Sequence, residues 1–341
     1  MIRNYWLILF VAIFVSILFL NKPKEVMAAP VRSVEELQVE ANQELDVMLT
    51  RIDDYYQEVS HTLTSALDLD VFKEYFSLLE SKTNVYNELA EIEFTDRQNE
   101  LRQKMADWVI LVHKRILIGE VCLIDRMGQE HFRFVNGRIE PTYLFSDQER
   151  DAPFFYPSLA LNKGDFYQSE PYISPDSYDW VTAFTSILVL SDGTKPAFLH
   201  FEVPLSIYEV FIKKLPVGSP RQVAEEKFDM KEVGRYFIVD QQGFVLADSQ
   251  TPKDAKTHEK RKEILDFRHQ EKLMDYFPSA QTISDDSYFL RAVEQMKKGE
   301  TGVVHLEWAG QNYIFVFKPI QNRNWSLGYL DPVDGVVFGT K

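Results

Sequence analysis

Apolar residues run from Tyr5 to Leu20 with only Ser16 between them, and the chain then turns polar. These sixteen residues reach about 24 Å as a helix, short for a bilayer core and long for the apolar part of a signal peptide. An uncleaved anchor and a signal cleaved near Val26-Met27-Ala28 both remain open, and both export the rest of the chain. Lys22 and Lys24 sit awkwardly for cleavage, and Arg3 places the N-terminus inside.

From Val34 the period becomes helical. Leu37, Ala41, Leu45, Met48, Ile52, Tyr55, Val59, Leu63 and Ala66 form one stripe, behind a Ser33 N-cap with Glu36 as its capping-box partner. A helix of roughly 30 residues, about 45 Å long, suggests a stalk or a coiled pair. A homodimer through Leu37–Ala66 would cover the stripe, as would shorter helices within the chain. Such helices are expected over Leu69–Leu79 and Val85–Phe94, and another is marked by Leu101, Met105, Trp108, Val112 and Ile116.

After Ile116 the alternation is that of strands. "VCLIDRMGQEHFRFVNG" predicts a hairpin turning at Asp125–Gly128, and "YDWVTAFTSILVLSDGTKPAFLHFEVPL" a second around Asp192-Gly193. "SIYEVFIKKL" reads as a connector helix and "VGSPRQ" as a linker. A second β region repeats the first, with "RYFIVDQQGFVLAD" turning at Asp240–Gly243, a charged helical insert near 253–277, and three closing strands in "GETGVVHLEWAGQNYIFVFKPIQNRNWSLGYLDP". Two similar units in tandem account for this order. Asp240 and Asp248 read as turn and capping residues.

Composition narrows the function. The 341 residues are 45% hydrophobic and carry a net charge of -15, without a segregated basic surface, which argues against nucleic acid as a partner. The one cysteine, Cys122, excludes an intrachain disulfide and a cysteine metal cluster and reads as a small buried hydrophobe. No zinc-helix spacing surrounds His258 or His269, and there is no phosphate loop or nucleophile elbow. The chain is therefore expected to be no enzyme, with no catalytic residues, metal or cofactor.

The segments "LIDRMGQEHFRF" (123–134), "YQSEPYISPDSYDWVTAFTSI" (167–187), "AFLHFEVPL" (197–205), "YFIVDQQGFVLAD" (236–248) and the closing run at 299–332 give the chain a pattern. It resembles the extracytoplasmic part of bacterial sensors of the double Cache family. The resemblance implies an α+β fold: a membrane anchor or signal (1–30), a long stalk helix with a helical bundle (33–116), and two PAS-like domains with antiparallel sheets. These are a membrane-distal domain (117–215) and a membrane-proximal one (216–335). It further implies a small molecule bound in the distal domain, on the periplasmic or outer side of a bacterial inner membrane crossed once. Amino-acid-binding members carry an arginine and a Trp-Tyr pair before the pocket strands. Here "APFFYPSLALNKGDFY" offers Phe154, Phe155 and Tyr156 without the arginine, which disfavours an amino-acid ligand. No second apolar span or output domain follows the proximal unit, so signalling is expected to pass through a separate membrane-bound partner. A non-catalytic structural or protein-interaction module at the envelope is the alternative.

The candidate ligand-binding residues are Arg133, Phe155, Tyr156, Tyr172, Trp180, Thr182, Phe184, His200 and Glu202. Strand parity puts Trp180, Thr182, Phe184 and Ser186 on one face, a mix of aromatic and small polar groups suited to a ligand wall or to a half-exposed sheet. Tyr156 and Tyr172 offer a ring and a hydroxyl, or packing alone. Glu202 would select an amine-bearing ligand with His200 beside it, face solvent, or sit in an ion pair. Arg133 would clamp a carboxylate or pair with Glu202.

Overall fold

The computed structural model describes residues 33–83, 93–146, 149–174, 177, 179–213, 234–250, 279–282, 284–308 and 310–333. The N-terminal apolar run, the linker at 217–222, the charged insert at 253–277 and nearly all of the helix expected over 85–94 lie outside these residues. Among the described residues no helix is long and apolar enough to cross a membrane.

Ser33 caps the long helix α1 (Val34–Ala66). Its hydroxyl accepts from the Glu36 N–H and the Glu36 carboxylate from the Ser33 N–H, so two amides with no partner inside the helix are satisfied at once. Every residue of the expected stripe is buried. What covers the stripe lies within the chain: α1 runs along the faces of two antiparallel sheets and shares one apolar core with them and with the short helices. The stripe therefore needs no homodimer through Leu37–Ala66 to bury it.

Helices α2 (Asp70–Ser77), α3 (Leu79–Thr83) and α4 (Asp96–His113) follow. The stripe of α4 packs in the same core, with Trp108 edge-on to Phe72 and tilted over Phe201.

The first sheet comprises β1 (Glu120–Asp125), β2 (Glu130–Val135), β3 (Arg138–Ile139), β4 (Tyr167–Gln168), β5 (Tyr172–Ile173), β6 (Trp180–Ile187) and β7 (Ala197–Pro204). Its order is β3-β2-β1-β7-β6-β4, with β5 also on β6, and the short helix α5 (Phe155–Ala160) lies on its outer face. After the connector helix α6 (Leu205–Ile212), β8 (Arg235–Asp240), β9 (Val245–Asp248), β10 (Gly302–Trp308), β11 (Gln311–Pro319) and β12 (Trp325–Pro332) form the second sheet, ordered β10-β11-β12-β8-β9. Helix α7 (Ser287–Lys297), for which the sequence reading has no counterpart, starts at an Asp286 cap and covers its outer face with Phe289, Ala292, Val293 and Met296.

The two sheets repeat one another closely. Asp125 accepts from the N–H groups of Met127 and Gln129, and Asp240 from those of Gln242 and Phe244, two and four residues on in each case. Gly128 and Gly243 then take φ of 85° and 91°, left-handed values that a glycine reaches without strain. Both hairpins slip register one pair from the turn, between Leu123 and Ile124 and between Ile238 and Val239.

Candidate functional site

Strand alternation divides the first sheet. Val121, Leu123, Phe132, Phe134, Leu199, Phe201 and Val203 face α1, whereas Cys122, Arg133, His200 and Glu202 point outward. Glu120 stands opposite Glu202 and Cys122 opposite His200 on the paired strands β1 and β7. The slip in β1–β2 inserts His131 as an extra residue and so brings Glu130 opposite Ile124 on the outward face. Glu149, in the 3-10 turn before α5, is buried with them.

The result is a buried polar cluster in the body of the domain. The Cys122 thiol donates to Glu120 at 2.8 Å and to Glu130 at 3.2 Å, Arg133 Nη2 donates to Glu120 at 3.3 Å, and the Tyr172 hydroxyl donates to Glu202 at 3.4 Å. Arg133 Nη1 also donates to the Leu144 carbonyl. Burial pushes the Cys122 thiol and the Tyr172 hydroxyl well up, and neighbouring carboxylates push in the same direction. Cys122 is thus buried as expected, but in polar company. Glu202 is 5% exposed, so it does not face solvent, and Arg133 donates to Glu120 on the neighbouring strand.

His200 lies flat on the Phe154 ring, 4.3 Å between centroids and 14° between planes, and neither ring nitrogen has a hydrogen-bond partner. Burial, then the Arg133 charge, lowers its pKa to about 3. The unfolded chain would take up a proton near pH 6.5 that the folded one refuses down to about 3. This contribution to stability is present above pH 6.5 and falls away as pH drops towards 3, by about 5 kcal/mol at most. Urea unfolding at pH 7 and pH 5 should show wild type losing about 2 kcal/mol more than H200Q over that interval. Equal losses would contradict the assignment.

The cluster thus unites Arg133, Tyr172, His200 and Glu202, with Phe155 in the apolar wall beside Phe198. Tyr156 is 63% exposed, its ring edge-on to Phe155 at the surface. Trp180, Thr182 and Phe184 share a face, as their parity indicated, but it is the face turned to α1, where Tyr56 stands edge-on to Phe184. Parity sorts side chains into two sets without saying which set meets the helix. Glu120, Glu130 and Glu149 were not singled out from sequence. The pairing of "EVCLID" with "HFEV" could have found Glu120, while Glu130 needed the bulge.

The second sheet supplies an internal comparison. Counting back from Asp125 and Asp240, Glu120 and Cys122 correspond to Arg235 and Phe237; across the pairing, His200 and Glu202 correspond to Gly328 and Leu330. The Phe237 and Phe315 rings fill the space above Gly328, where an added Cβ would come within 2.8 Å of both. One fold thus holds a dry aromatic core in one copy and a cluster of ionisable groups in the other.

A separate cleft of about 470 Å³ opens where α1, the β4 segment and the turn before β12 meet. The Arg323 guanidinium reaches it, its carbon 3.3 Å from the centroid of the Tyr56 ring.

No family model and no curated protein matches the sequence. Solved structures do match. The ligand-binding domain of the Campylobacter jejuni chemoreceptor Tlp3 in complex with L-norvaline aligns over 92% of this chain and 100% of its own, at 12% identity and TM-score 0.57. The Tlp3 sensory domain with isoleucine bound aligns over 88% and 94% at 13% identity and TM-score 0.55. The extracellular domain of the putative histidine kinase vpHK1S-Z8 aligns over 88% and 92% at 11% identity and TM-score 0.54. The chain shares the double Cache fold of these sensory domains.

Proposed function

We propose that the chain is an extracytoplasmic small-molecule-sensing module without enzymatic activity, which holds a cationic, amine-bearing ligand in its distal domain and signals through a separate membrane-bound partner. The observation that carries the ligand class is charge: the carboxyls of Glu120, Glu130, Glu149 and Glu202 are gathered in one buried cluster with the Arg133 guanidinium. A ligand ammonium brought into that cluster would find carboxyl acceptors around it, whereas a ligand carboxylate would meet several like charges and an Arg133 already engaged by Glu120 and the Leu144 carbonyl. The similar Tlp3 structures hold isoleucine and L-norvaline; an amine without a carboxylate suits this cluster better. Tyr172, His200 and Glu202 would contact the ligand, with residues 117–215 as the distal unit and 216–335 as the dry proximal one. The apolar run near the N-terminus supports export and a single-pass anchor in the inner membrane.

Thermal shift of the full chain against mono- and diamines, amino acids and organic acids tests this reading. Amines should raise the midpoint by mass action, and E202Q, nearly isosteric, should weaken the response about tenfold. Stabilisation by organic acids alone, or an amine response unchanged in E202Q, would refute it. The ligand atoms of Glu120, Cys122 and Glu130 lie within 4.8 Å of one another, so a response to zinc that C122S abolishes, with none to amines, would replace the amine by a metal ion.

A further inference from the structure

The cleft between the two sheets has chemistry that the distal cluster does not explain. The Arg323 side chain is 3% exposed, yet its Nε and Nη1 have no hydrogen-bond partner, and Nη1 lies 3.7 Å from Asp53 Oδ1. A buried guanidinium left short of acceptors is costly, since each unmade hydrogen bond leaves the desolvation of the charged group uncompensated. It is not alone. Gln168 Nε2, the Tyr208 hydroxyl and the Thr182 hydroxyl are buried beside one another with no well-formed hydrogen bond, Tyr208 standing within reach of Thr182 and Gln168. Arg323 and Gln168 line the cleft itself. The unsatisfied atoms of these two are donors, so the missing group is an acceptor.

Further features restrict its identity. Asp53 beside Arg323 and Glu170 on the cleft wall make a doubly charged anion unfavourable, since one guanidinium faces two carboxyls. Tyr56, Phe166 and Trp325 supply apolar walls, and about 470 Å³ admits a molecule of amino-acid size or somewhat larger. We propose that this cleft binds a small monocarboxylate with an apolar or aromatic body, its carboxylate on Arg323 and Gln168 and its body between the aromatic side chains. The site draws on α1 and both sheets, so its occupant would fasten one sheet to the other, and it stands independently of the amine reading for the distal cluster.

The probe is phenylacetate, titrated into the full chain by calorimetry, with inorganic phosphate and the neutral 2-phenylethanol for contrast. Saturable binding of phenylacetate in the millimolar range or tighter is expected, weakened about tenfold or more in R323Q. E170Q, which removes a carboxylate from the cleft wall and keeps a hydrogen-bonding side chain beside Asn324, should strengthen it and guards against a folding defect in R323Q. E202Q should bind phenylacetate as wild type does, which separates this site from the distal cluster. No saturable phenylacetate binding, binding indifferent to both R323Q and E170Q, or phosphate or 2-phenylethanol binding as well as phenylacetate would each overturn the proposal.

Discussion

Replacing Arg133 by methionine should destabilise the protein by about 3–5 kcal/mol at pH 7, the range found when one partner of a buried charge pair is removed. Methionine keeps most of the length and apolar volume of the arginine stem, so the loss reports charge and hydrogen bonds rather than a cavity. The variant takes from the buried Glu120 carboxylate the guanidinium that donates to it, and from the Leu144 carbonyl the donor that ties its segment to β2. A variant that keeps the charge distinguishes this account from simple mispacking. R133K retains a cation on a stem of similar length, so it should cost less than R133M although it loses the forked donor geometry of the guanidinium. Chemical denaturation of both variants at pH 7 makes the comparison. An equal penalty in the two would mean that Arg133 acts through packing.

The cluster was only half legible in the sequence, for a physical reason. His200 and Glu202 stood out because charged or polar residues alternate with Leu199, Phe201 and Val203, and alternation is what a strand shows in one dimension. Their orientation was not visible there: Trp180, Thr182 and Phe184 were as plausible a wall until α1 occupied that face. Glu130 was hidden by the extra residue at His131, since a bulge reverses parity and counting from Phe132 or Phe134 puts Glu130 on the wrong side. The repeat of Asp125–Gly128 in Asp240–Gly243 could be read directly, because the turn needs an aspartate acceptor and a glycine at a positive φ. Helix α7 was equally open to reading, with an Asp286 cap and apolar residues at Phe289, Ala292, Val293 and Met296. The Arg323 cleft was out of reach, because Tyr56, Gln168 and Arg323 meet only when both sheets are laid on one helix.

The same arrangement changes what a lesion in the long helix should do. A stripe on a solvated stalk would tolerate a charge with loss of self-association alone. A stripe buried against two sheets would not. Ile52 has no exposed surface, and it lies one turn from Tyr55 and Tyr56, which pack on Tyr208, Phe211 and Phe184. Towards the N-terminus, Glu44 accepts from Tyr236 and Asp46 from Lys318, so the same helix is bound to the second sheet. I52E must therefore either bury an unpaired carboxylate or pull α1 away from the core that both sheets share. Its expected cost is above about 4 kcal/mol, enough to unfold a domain of ordinary stability, and both sheets should melt together because they share the helix. V47E, at a position 53% exposed on the same helix, should stay within about 0.5 kcal/mol of wild type. Circular dichroism melts and light scattering decide the matter. A folded I52E chain whose only change is a lower oligomeric mass would show that the stripe serves self-association after all.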